Sequence, residues 1–113
     1  MSKIGDVTFV GASGKEYVFG VFPLGTTFKE MAGLYIFGKL VSTGLMGGGS
    51  IAPLYIGQAG DLEQRISDHE KLACAQIHGF NCICAMAFNG TRAQRIDVET
   101  DLRHGNPTPC NDQ

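Results

Sequence analysis

Short apolar, β-rich runs broken by glycine and proline set the limits on how this chain can fold. Val7-Thr8-Phe9-Val10 and the run from Glu16 to Phe22 flank Gly11-Ala12-Ser13-Gly14-Lys15, which predicts a hairpin ended by Pro23-Leu24-Gly25. Thr27-Phe28-Lys29-Glu30 has the form of a capping box and predicts a short helical turn. Gly33 to Leu40 and Pro53 to Gly57 read as strands that echo each other in Leu34-Tyr35-Ile36 and Leu54-Tyr55-Ile56. Val41 to Ile51, with Gly44, Gly47, Gly48 and Gly49, reads as the loop between them. Asp61 or Gly60 caps a helix running to about Ala75, Phe80 to Phe88 is a third and fully apolar strand, and Thr91 opens a last helix to about His104. Pro107 and Pro109 predict an extended tail.

With 113 residues and no linker or domain-sized repeat, the expectation is one globular unit. A chain of this mass hides roughly 65% of its surface on folding, enough for a core without disulfides. Nine Lys and Arg against eleven Asp and Glu give a net charge of −2, which argues against gripping nucleic acid mainly by phosphate neutralisation. It leaves room for an enzyme with a small, locally positive cleft. No apolar run approaches the length of a membrane span, and the first residues lack the apolar stretch of a signal peptide, so the expected compartment is the cytoplasm.

In that compartment, Cys74, Cys82, Cys84 and Cys110 are expected as free thiols. Cys74, His78, Cys82 and Cys84 lie close enough in sequence to invite a zinc reading. There is no paired C-x-x-C, however, and Cys82 and Cys84 would share one face of an apolar strand, so buried thiols are the preferred reading.

The informative residues are polar ones on apolar faces. On the first helix Leu62, Ile66 and Ala73 form the buried stripe, and Arg65 and His69, four apart, sit on or beside it. An inward guanidinium is costly unless something there needs it. A structural ion pair with an internal carboxylate and a functional site are both open from this helix alone. On the last helix Ala93, Ile96 and Leu102 mark the inner face, with Glu99 between them. That carboxylate could partner Arg65 or bind a hard cation. Tyr35 and Phe37 share one strand face, as do Tyr55 and Gly57, and a glycine at a strand end suggests close approach by another element or a ligand.

Gly33-Leu34-Tyr35, then Tyr55-Ile56-Gly57, Arg65, His69, Glu99 and Asn111, in this order, resemble the signature of the GIY-YIG nuclease superfamily over residues 32–113. His78 also resembles a histidine found in some members. The resemblance implies an α/β (α+β) fold: a three-stranded antiparallel sheet flanked by helices. Residues 1–31 would be an extra N-terminal β-hairpin packed on that core. It implies metal-dependent hydrolysis of phosphodiester bonds in DNA, with one divalent cation, Mg2+ or Mn2+. Tyr35 then resembles the general base, Tyr55 its supporting tyrosine, Arg65 the phosphate-binding residue and Glu99 the metal ligand. His69 would assist the base or the phosphate. Gly57, His78 and Asn111 would help bind substrate or fix the site.

Two departures bear on function. Nineteen residues lie between Tyr35 and Tyr55, more than the family's usual spacing, and the glycine-rich segment accounts for the excess. These residues are read as carrying no separate DNA-binding domain, so the expectation is low intrinsic sequence specificity unless a partner protein supplies it. The alternative is a catalytically inactive nucleic-acid-binding or protein-interaction module on the same fold.

Overall fold

Among the described residues the alternating apolar runs build five strands and three helices: β1 (Gly5–Val10), β2 (Glu16–Pro23), β3 (Gly33–Ser42), β4 (Gly49–Ala59), α1 (Leu62–Ser67), α2 (Leu72–Ile77), β5 (Cys82–Ala87) and α3 (Arg92–Gly105). The structure, a computed structural model, describes residues 3–42, 49–67 and 69–111. All strands join one sheet in the order β1-β2-β5-β3-β4, and every neighbouring pair is antiparallel. The fold is therefore α+β, with the N-terminal hairpin continuing the sheet through the pairing of β2 with β5.

The period of two along a strand splits the core into two layers. On β3, Leu34 and Ile36 point into one layer and Tyr35 and Phe37 into the other, and all four are fully buried. β5 repeats the division, with Cys82 and Cys84 on the first side and Ile83 on the second. The first layer takes Leu102 and Val98 from α3, together with Phe9, Phe19 and Val21 from the hairpin. The second takes Leu62 and Ile66 from α1, Ala75 from α2, and Phe28. A large-to-small change at a position such as Ile36 costs about 1–5 kcal/mol, depending on how far the site collapses.

β4 is an edge strand, and its free edge is covered by the C-terminal tail. The Cys110 amide donates to the Leu54 carbonyl at 3.0 Å, and Asn111 binds both backbone groups of Ile56 at 2.8 and 2.9 Å. The register between β3 and β4 slips at Phe37/Gly38, where Phe37 faces Tyr55 and Gly38 faces Pro53. Proline lacks the amide a regular ladder needs, which suits it to an edge strand beside a bulge.

Several sequence expectations are corrected. Residues 26–29 form no helix, because Phe28 is buried against Phe22 with ring centres 5.1 Å apart and no amphipathic run follows to extend a turn. The Val41–Ile51 loop is shorter than expected: pairing continues to Ser42 opposite Gly49, and residues 43–48 lie outside the described segments. The helix expected from Asp61 to Ala75 is broken into α1 and α2 around His69. There the ring Nδ1 accepts the Lys71 amide at 3.0 Å and the His69 carbonyl accepts the Leu72 amide at 3.3 Å. The break resets the helical phase, so Ala73 is exposed and Ala75 is buried. On α3 the Thr91 cap and its Gln94 partner form as expected, but Ala93 is exposed because the first turn borders an open groove.

The cysteine reading is also corrected. Cys74 and Cys110 form a disulfide with Cα atoms 5.8 Å apart, because the tail laid along β4 ends against α2. Cys82 and Cys84 are free and buried, as expected. Among the described residues no helix is long and apolar enough to cross a membrane.

Candidate active site

Four of the singled-out side chains meet in the layer beneath α1 and α2. The pairing of Tyr35 with Gly57 puts the phenol over a residue without a side chain. A Cβ at Gly57 would lie 2.5 Å from the Tyr35 hydroxyl, so the close approach expected at this glycine is made by the tyrosine ring. The His69 ring stands edge-on to Tyr35, Phe37 and Tyr55, with centroid separations of 5.5, 4.9 and 4.7 Å. It is held there by the turn that separates the two helices.

The Tyr35 hydroxyl and His69 Nε2 are 2.6 Å apart. The other ring nitrogen settles who donates. Nδ1 accepts the Lys71 amide and so carries no proton. In the neutral ring the proton is then on Nε2, which donates to the Tyr35 oxygen. A second proton on Nδ1 would face the Lys71 N–H, donor against donor. Burial lowers the His69 pKa to about 4, helped by the charges of Arg65 and Lys71 and opposed by Glu70. The imidazole is thus a neutral donor to a phenol oxygen.

Arg65 supplies the charge of the site. Its side chain is 39% exposed and its guanidinium lies 3.5 Å from Glu70, a loose surface pair worth little on its own. Burial pushes the Tyr35 pKa well above the ordinary phenol value and Tyr55 adds to this, while the Arg65 charge acts in the opposite direction. Burial weakens the protonation of Arg65 itself, but Tyr35, Tyr55 and Glu70 outweigh it and the net direction is upward. Tyr35 is 0% exposed. Tyr55 is half-buried and is the phenol nearer to solvent.

Beside this cluster an open groove of about 650 Å³ is lined by Gln58, Asp61, Gln64, Arg65, Arg92 and Arg95. Arg95 Nε donates to Gln58 at 3.0 Å, which ties α3 to the end of β4. Sequence reasoning missed Arg92 and Arg95, although a signal existed. Both lie in the first turns after the Thr91 cap, where the helix dipole disfavours cations, and that turn carries no acidic residue. An anionic ligand would offset that cost.

Glu99 enters through its charge. Burial raises its carboxyl pKa, while Arg103 and then Arg65 pull it down, with a net upward direction. It is carried by the helix that covers the first core layer, whereas the phenols lie in the second. Its field therefore reaches Arg65 from the neighbouring element. Magnesium keeps several waters and is bound by one or two carboxylates plus substrate phosphates. Glu99 is a single carboxylate under the fields of Arg103 and Arg65, and like-charge repulsion from them disfavours a cation there unless a bound phosphodiester offsets it. Among the described residues, no group of three or more His, Cys, Asp or Glu ligands gathers at Glu99.

The remaining residues lie elsewhere. Asn111 is a brace on the Ile56 backbone and is itself bonded by Thr108 Oγ1 at 2.5 Å. His78 is exposed at the end of α2, where a ring nitrogen and the sulfurs of Cys74 and Cys110 all lie within 4.8 Å. The four residues of the zinc reading are not brought together, because Cys82 and Cys84 are packed inside the first core layer and Cys110 stands in their place. No family model matches the chain, and comparison with curated proteins and with solved structures likewise found no match.

Proposed function

We propose that the chain is a small metal-dependent endonuclease of the GIY-YIG type that hydrolyses phosphodiester bonds in DNA with low intrinsic sequence specificity. The observation that carries this reading is the donor to the Tyr35 oxygen: a phenol supported by His69 Nε2–H beside the Arg65 guanidinium. A phenol becomes a base only after losing its proton; His69 and Arg65 favour the phenolate, and a bound cation would add the positive charge needed against burial, which raises the Tyr35 pKa. Tyr35 is the base and, being fully buried, reaches the attacking water through Tyr55, which lies on the solvent side. Arg65 binds the scissile phosphate bidentately and keeps its charge at any working pH. Arg92 and Arg95 hold the strand that flanks it. Glu99 would hold Mg2+ or Mn2+, which when bound places positive charge on the phosphoryl oxygens. The GIY-YIG-like core would be β4, β3 and β5, with the hairpin added at the β5 edge.

The test is cleavage of plasmid, branched and single-stranded DNA by purified protein with Mg2+ or Mn2+. Wild type is expected to cut, and Arg65→Ala and Glu99→Ala are expected to cut at least about 10²-fold more slowly. Equal cutting by wild type and both variants would contradict the reading.

The full burial of Tyr35 favours a second reading, a nucleic-acid-binding module without the reaction. It expects DNA binding that weakens in Arg92→Ala/Arg95→Ala, no change in Glu99→Ala, and no cleavage with either metal.

A further inference from the structure

The Cys74–Cys110 disulfide has a third potential ligand beside it. Cys74 and His78 are four residues apart at the end of α2, where the His78 amide donates to the Cys74 carbonyl at 3.3 Å. That spacing puts both side chains on one side of the helix. The helix stops there because Gly79 takes a positive φ of 89°, and the His78 ring stays exposed at its end. Cys110 comes from the tail, fixed by its own amide bond to Leu54 and by the neighbouring Asn111 on Ile56. The two sulfurs and one ring nitrogen already lie within 4.8 Å of one another.

We propose that Cys74, His78 and Cys110 form a redox-gated site for a soft divalent cation of the zinc type. The site is closed as the disulfide and open to metal once reduced. The ligand chemistry is right for zinc, which takes thiolate and imidazole at about 2.3 and 2.0 Å. A tetrahedral ion then needs its sulfurs roughly 3.8 Å apart and each sulfur roughly 3.5 Å from the nitrogen. In the oxidised form the nitrogen lies within 4.8 Å of both sulfurs, so the exposed His78 ring needs at most a small rotation, and breaking the covalent bond lets the sulfurs part. Water fills the fourth position on the exposed side of His78.

The steps balance. A small-molecule or protein dithiol gives two electrons and two protons to the disulfide, becomes oxidised itself, and leaves two thiols. The metal then binds two thiolates and one neutral imidazole and releases two protons. Disulfide and metal exclude each other, because the metal needs both sulfurs as thiolates and the disulfide is their two-electron oxidised, uncharged form. Either state ties the tail to α2, and the tail braces β4 at Ile56, between Tyr55 and Gly57. The reduced, metal-free state loses that tie. This assignment is independent of the nuclease reading.

The test is titration of the whole chain with Co2+ and Zn2+, oxidised and fully reduced, without oxygen. The reduced protein is expected to bind one Co2+ per chain with thiolate-to-cobalt absorption and to melt higher when Zn2+ is added. The oxidised protein is expected to do neither. Cys110→Ser should lose the absorption, and Cys82→Ser/Cys84→Ser should keep it. His78→Ala lies on the surface and should fold normally, with affinity down at least about tenfold. Absence of metal uptake by the reduced protein would overturn the assignment. So would absorption that disappears with Cys82 and Cys84, or unchanged affinity in His78→Ala.

Discussion

Among the described residues, two tyrosine-centred polar clusters, one on β2 and one on β3, differ in what surrounds the hydroxyl. Near the hairpin, Tyr17 donates to the Asp101 carboxylate at 2.8 Å. The same carboxylate accepts the Ser13 amide and hydroxyl at 2.8 and 2.7 Å, which ties the β1–β2 loop to α3. Ala12 bonds the Asp101 carbonyl, and Asn106 bonds the Val10 carbonyl, so the loop is held by backbone as well. Burial and then Asp101 push the Tyr17 pKa up to about 12, and the hydrogen bonds from Ser13 hold the Asp101 carboxyl down. Every neighbour keeps the phenol protonated. Tyr35 has different company: its oxygen accepts from His69, and the Arg65 cation pulls its pKa down against burial and Tyr55, which raise it. A phenol that donates to a carboxylate is a structural tie. A phenol that accepts from an imidazole beside a guanidinium has two neighbours that favour its anion, set against the burial that opposes it.

The sharpest way to break this comparison is to remove one charge from each side. Arg65→Ala or Glu99→Ala should lower DNA cleavage by about 10²–10³-fold. The melting temperature should change little, because the Arg65 pair with Glu70 is exposed. Asp101→Ala should do the reverse, lowering the melting temperature while cleavage persists. Next in size is Gly57→Ala. The added methyl meets the Tyr35 hydroxyl, so stability should fall by about 1–3 kcal/mol in denaturant titration, with loss of cleavage.

A pH series sharpens the comparison further. The folded-state pKa of His69 is lowered to about 4, below its ordinary value of 6.5. Its unfolded form therefore takes up the proton first as pH falls. The stability it contributes is complete above 6.5 and is lost as pH drops from there towards about 4. Denaturant titrations across that window should show the slope in wild type and a weaker one in His69→Gln. The smallest effect belongs to the groove. Arg92→Ala and Arg95→Ala should each weaken DNA binding across all sequences and reduce the salt dependence by about one counterion.

Much of the fold was legible because it rests on local patterns. The hairpin around 11–15 follows from alternating apolar runs and a glycine loop, and α3 begins where Thr91 and Gln94 form a reciprocal cap. The gathering of Tyr35, Tyr55, Arg65 and His69 was legible from polar residues on apolar faces and from the family resemblance. What escaped depends on contacts distant in sequence. The break at His69 needs an imidazole drawn to Tyr35, whose position is set by β3. The pairing of Cys74 with Cys110 needs the tail to lie along β4, which no pattern within residues 105–113 announces. The helical turn at 27–30 failed because burial of Phe28 outweighs a cap with no helix behind it.

The central claim is that the phenol accepting from His69 is functional and the phenol donating to Asp101 is structural. Its most direct test is single-turnover cleavage of one DNA duplex with Mn2+ by wild type, Tyr35→Phe and Tyr17→Phe, side by side. Tyr17→Phe should cut like wild type, and Tyr35→Phe should be slower by about 10²-fold. Equal cutting by all three proteins, or an equal loss in both variants, would contradict it.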